Sequence, residues 1–186
     1  MSQKRIYIIH GWEGSPESNW FPWLRRELEK RGFEVTIPEM PNADHPVFSE
    51  WLEHMQKVVK NPDQNTFLVG HSLGVIAILK FLEALAPDRK IGGAVLVAGF
   101  PEPIGYKELD SFFASPLKYK KIKQAAGRFA AINSDDDPYV PLRNGEILEE
   151  KLGAELTIFP KGSHLNQGAG FTKLPIVMES ILRMAL

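Results

Sequence analysis

Six short runs rich in β-branched residues, most of them apolar on successive positions, recur along the chain at intervals long enough to hold a helix. They are RIYIIH at 5–10, FEVTI at 33–37, TFLVG at 66–70, GAVLVAG at 93–99, RFAAINS at 128–134 and ELTIFP at 155–160. A strand with one wet face alternates apolar and polar residues, whereas a strand covered on both faces does not. Between the runs, apolar spacing predicts helices over Trp20–Lys30, Val47–Val59, Leu73–Leu85, Pro141–Leu152 and Pro175–Met184. Strand and helix in repeated alternation imply right-handed crossovers and a parallel sheet with helices on both sides. The expected fold is an α/β three-layer sandwich on a mostly parallel six-stranded sheet, read as one domain over 1–186. One stretch breaks the regularity. Residues 100–124, FPEPIGYKELDSFFASPLKYKKIKQ, exceed a usual connection and are rich in aromatics and proline, and loops of that length in compact folds are often functional.

Composition narrows the function classes. Basic and acidic side chains number 22 and 23, so no broad field gathers phosphates or anionic lipid, and neither nucleic acid nor membrane is expected as a partner. The absence of cysteine removes disulfides, thiolate metal sites and a catalytic thiol together, and makes the cytoplasm the default location. KRIYII near the start has too few apolar residues for a signal peptide, and no stretch approaches the ~20 needed to span a membrane.

Ligands of open α/β sheets bind beyond the carboxyl ends of the strands. The polar residues just past each run are His10 with Gly11, Ser72, the trio Asp135, Asp136 and Asp137, and Ser163 with His164. Gly70-His71-Ser72-Leu73-Gly74 fits G-x-S-x-G between a buried strand and a helix, the context of a nucleophile elbow. Such a turn strains the serine backbone and brings the flanking positions too close to neighbouring backbone for a Cβ. A serine needs a base, and the base needs an orienting group. His164 is the expected base. Asp137 is the expected orienting acid, because Pro138 pushes it into extended backbone, with Asp136 as the alternative. The backbone N–H groups of Leu73 and Trp12 are expected to form an oxyanion hole. His10 precedes the nucleophile and reads as structural. Trp12, Phe100, Phe112, Phe113, Tyr139 and Leu165 are the expected pocket lining, although Phe112 and Phe113 equally suit the core of a short helix. Trp20, Phe21 and Trp23 are assigned to packing of the first helix, and Glu13, Glu108 and Asp110 to solvated loop charge or, alternatively, to holding a substrate amine.

HGWEGSPESNWFPWLRREL, VGHSLG, NSDDDPYVP and GSHLN together resemble the α/β-hydrolase fold, and more narrowly the small serine hydrolases related to the retinoblastoma-binding serine hydrolase and its bacterial relatives. The resemblance covers nearly the whole chain. It implies Ser72, Asp137 and His164 as a triad, a minimal sheet without a helical cap domain, no cofactor or metal, and a small ester or amide substrate. Three activities are compatible: hydrolysis through an acyl-enzyme, acyl transfer or thioester cleavage on the same triad, and a protein-binding module that retains the fold without catalysis.

Overall fold

The computed structural model describes residues 3–185. Six strands, β1 (Arg5–Ile9), β2 (Glu34–Thr36), β3 (Thr66–His71), β4 (Ile91–Val97), β5 (Ala126–Ser134) and β6 (Glu155–Phe159), form one sheet in the order β2-β1-β3-β4-β5-β6. Every pairing is parallel. Helices α1 (Phe21–Glu29) and α6 (Pro175–Ala185) cover one face, while α2 (Phe48–Val58), α3 (Leu73–Ala84), α4 (Tyr119–Ala125) and α5 (Arg143–Leu152) cover the other.

Successive strand residues enter opposite cores, which is why the runs are apolar throughout. Ile6, Ile8, Val69, Val95, Val97 and Ile132 pack under α1 and α6. Tyr7, Ile9, Leu68, Ala94, Leu96 and Ala131 pack under α2 to α5. Helix α3 is buried from Leu73 to Leu82 because it lies against the sheet with α2 and α4 on its outer side. Apolar residues all round a helix are the signature of that position. The edge strand β6 is half-exposed, with Ile158 open to solvent.

Three elements lie outside the five expected helices, one of them a 3-10 turn at Gln167–Ala169. The connection after β4 contains a 3-10 turn at Lys107–Phe113, and α4 precedes β5. Helix α4, YKKIKQA, buries only Ile122 and Ala125 among its seven residues, too short a stretch for helical periodicity to register. Helix α5 starts two residues later than expected, at Arg143, because Pro141 and Leu142 form the entering turn.

Register brings the carboxyl ends level. Ile9 pairs with Gly70, Gly70 with Leu96, Leu96 with Ala131, and Ser134 with Phe159. The residues that follow therefore stand along a single rim. The chain reverses direction of travel across the sheet between β1 and β3, and in open α/β sheets that switch point is where ligands bind.

Candidate active site at the rim of the sheet

Ser72 stands at the switch point, between the end of β3 and the start of α3, with φ 54° and ψ −121°. That region is sparsely populated for any residue with a side chain, and costs on the order of 1–3 kcal/mol. The surrounding packing imposes it. A Cβ on Gly74 would lie 2.2 Å from the Ile9 carbonyl oxygen, and one on Gly70 would lie 2.9 Å from the backbone of Gly74. Only glycine lets the helix start approach β1 so closely. Helix α3 then presents its first, unbonded N–H groups beside Ser72.

His164 lies on the loop after β6, and its Nδ1–H donates to Asp137 Oδ2 at 2.8 Å. A carboxylate can only accept, so this bond fixes the ring with Nε2 as the free lone pair. Asp137 Oδ1 accepts the N–H groups of Tyr139 at 2.9 Å and Val140 at 3.0 Å, and its side chain is almost wholly buried. The two neighbouring aspartates hold the same loop by its backbone. Asp135 accepts from the Lys161 N–H, Asp136 from the Ser163 N–H at 2.7 Å, and Ser134 Oγ from the Gly162 N–H. Ser134 at the end of β5 and the three aspartates after it thus grip four consecutive residues after β6. The grip offsets strain, since Lys161, Ser163 and Leu165 all have positive φ. The bonds from Ser134 and the Ser163 N–H hold the Asp136 carboxyl below its usual pKa range.

The opposite side of this loop is held by ring donors that sequence reasoning missed. His71 Nε2–H donates to the His164 carbonyl at 3.0 Å, and Trp20 Nε1–H donates to the Leu165 carbonyl at 2.9 Å. Both donors are buried. The contacts span 93 and 145 residues, and His71 occupies an unspecified position of the elbow motif, so no local pattern announces either.

A cleft of about 310 Å³ opens over Ser72, and His164 shares its wall. Phe100, Ile104, Leu109 and Val140 give it an apolar lining, while Trp12, Glu13, Tyr106, Tyr139 and Asn166 complete it. Of the six side chains expected there, Trp12, Phe100 and Tyr139 are present. Phe112 is instead fully buried against Trp51 and Phe48. Phe113 faces a separate groove beside Lys80, because adjacent residues of the 3-10 turn point apart. Leu165 turns into the core under α1, its positive φ directing it away from its neighbour His164. Glu13 reaches the cleft edge, and Glu108 and Asp110 are exposed on the 3-10 turn away from it.

The loop after β1 closes the cleft floor. A Cβ on Gly11 would stand 3.0 Å from Ser72 Cβ, so the two turns touch. His10 shapes the loop: its Nδ1–H donates to the Gly11 carbonyl and its Nε2 accepts the Met40 N–H. Burial holds its pKa down, in keeping with that neutral form. The Glu13 and Gly14 amides bond to the Ala43 and Gly11 carbonyls and fix the turn that follows Trp12.

A parallel sheet in this strand order, carrying a strained serine at the elbow and no inserted cap over the rim, defines an α/β-hydrolase fold. Residues 6–183 match the family described as Serine hydrolase, and the chain belongs to that family. It is 38% identical over 177 residues to YdeN of Bacillus subtilis, covering 95% of this chain and 93% of that protein. It is 28% identical over 170 residues to serine hydrolase RBBP9 of Rattus norvegicus, covering 90% and 88%. The crystal structure of the ydeN gene product superposes with a TM-score of 0.94 at 37% identity, covering 98% of both chains. Est1E of Butyrivibrio proteoclasticus shares the fold, with a TM-score of 0.76 at 14% identity over 98% of this chain and 88% of that one. Among the described residues no helix is long and apolar enough to cross a membrane.

Proposed function

We propose that this hydrolase cleaves small carboxylic esters or amides through an acyl-enzyme on Ser72. His164 Nε2 takes the Ser72 hydroxyl proton as Oγ bonds to the substrate carbonyl carbon, and the carbonyl electron pair moves onto oxygen. The N–H groups of Leu73 and Trp12 receive that oxyanion. Collapse of the intermediate expels the leaving group, which takes the proton from His164. Water then repeats the sequence and frees Ser72. Asp137 holds the ring and stabilises the imidazolium. The observation that carries the reading is the 2.8 Å bond from His164 to a buried carboxylate, made on the wall of the cleft that contains a strained serine.

The lining supports a neutral, apolar acyl group. Among the described residues no lysine or arginine borders the cleft, so an anionic acyl chain would lose its hydration without a counter-charge. Glu13 at the edge offers a place for an amine, which connects the site to aminoacyl substrates as well as simple esters.

Mixing the protein with p-nitrophenyl butyrate tests the reading. A burst of one p-nitrophenolate per chain, and labelling by a fluorophosphonate, are expected from the wild type and from neither Ser72→Ala nor a protein that merely binds partners. A burst that survives in Ser72→Ala overturns it. Glu13→Gln separates the substrate classes: it is expected to lower kcat/KM for an aminoacyl p-nitroanilide and spare the butyrate ester.

A further inference from the structure

Resting on the reading of Ser72 as nucleophile and His164 as base, we infer that His71 is a positioning residue that sets the distance between them. The route from one to the other through the chain runs across three strands, β4 to β6, and three helices, α3 to α5. Through His71 it is short. The residue is covalently next to Ser72, and its ring Nε2–H donates directly to the carbonyl of His164 at 3.0 Å. The rings of His71 and His164 also meet edge to face, with centroids 4.9 Å apart.

His71 is placed to transmit position and little else. Its ring is enclosed by Trp20 and Phe21 as well as His164, so it has one setting. It stays uncharged, since burial first and the neighbouring His164 second push its pKa to about 3. A neutral ring adds no repulsion when His164 becomes an imidazolium. The bond also reaches a loop whose backbone is strained at Ser163 and Leu165, on either side of the histidine. The carboxylates after β5 hold that loop by its N–H groups, and their pull is toward β5. His71 supplies the only ring donor that pulls the histidine's own carbonyl toward the elbow among the described residues. A misplacement of ~1 Å in such a pair can cost on the order of 100-fold in rate.

The test compares three variants of the full chain in p-nitrophenyl butyrate turnover. In His71→Gln the side-chain amide nitrogen lies as many bonds from Cα as Nε2 does and keeps the donor. In His71→Asn the amide is one bond short, and in His71→Met the length is kept but the donor is lost. Asn and Met are expected to lower kcat by roughly 10- to 100-fold with KM little changed, and Gln to remain near wild type. The downfield His164 Nδ1–H proton signal should persist in wild type and Gln and weaken in Met. Equal loss in all three variants, or no loss in any, overturns the inference. Where Met fails to fold by circular dichroism, the Gln and Asn pair decides. The wild type gives an independent check: the His71 Nε2–H proton should exchange slowly with solvent, and fast exchange sinks the coupling. Full turnover by Ser72→Ala would instead remove the reading of the site, leaving the two failures distinct.

Discussion

Asp137 illustrates how much a single carboxylate does at this rim. Its two oxygens accept three hydrogen bonds, two from its own turn and one from His164. Asp137→Asn keeps the shape but offers the ring a choice of donor and acceptor, which releases the tautomer. Stopped-flow turnover should then show kcat reduced by about 10³- to 10⁴-fold with KM nearly constant. Ser72 carries a cost of its own, its φ of 54°. Ser72→Gly should unfold at a higher urea concentration than Ser72→Ala, by about 1 kcal/mol, because glycine relaxes that backbone while alanine does not. His71 sets an acid limit. Its folded pKa of about 3 lies below the ordinary 6.5, so the unfolded chain takes up the proton first. The stability it contributes is complete above pH 6.5 and is lost as pH falls from there toward 3. The charges of His164 and His10 act on the ring in the same direction as burial, while the bond to the His164 carbonyl and the Asp137 charge oppose them. Urea midpoints measured from pH 7 to 4.5 should fall for the wild type and fall less for His71→Gln, a difference of about 1.4 kcal/mol per pH unit.

At the scale of elements, the decisive contact is between the start of α3 and the end of β1. Gly74→Ala would drive a methyl to 2.2 Å from the Ile9 carbonyl, against backbone that cannot swing aside. A loss of about 2–3 kcal/mol in chemical denaturation, accompanied by reduced turnover, is expected, since the elbow and the sheet must separate. This contact was legible in the sequence because the glycines and serine lie within five residues and sit between an apolar run and a helix. The inner strands were legible for a similar reason: burial on both faces leaves an unbroken apolar signal. The bonds that hold the His164 loop were not. Trp20 reads as helix packing, and it does pack, but its indole N–H also reaches Leu165 across 145 residues. The trio Asp135 to Asp137 reads as one orienting acid with Asp136 as its alternative, whereas each binds a different residue of the facing loop. Phe112 and Phe113 show the limit from the other side, because adjacent aromatics cannot be assigned to cleft or core until the turn that carries them is known.

Across the whole molecule charge is balanced, and among the described residues the cleft is lined without lysine or arginine. Diffusional capture of neutral esters should therefore be nearly indifferent to salt. kcat/KM for p-nitrophenyl butyrate should change by less than about twofold as the Debye length shrinks from ~30 Å to ~8 Å. The reacting groups proposed here stand on turns held at the sheet ends, while Ile104, Tyr106 and Leu109 belong to the long connection after β4, tied back to α3 by Lys80 through the Ser115 carbonyl. The proposed chemistry and one wall of the apolar cleft are thus written on separate stretches of polypeptide. A lineage can revise the second many times over, lengthening or reshaping that one excursion to admit a new acyl group, without touching the first.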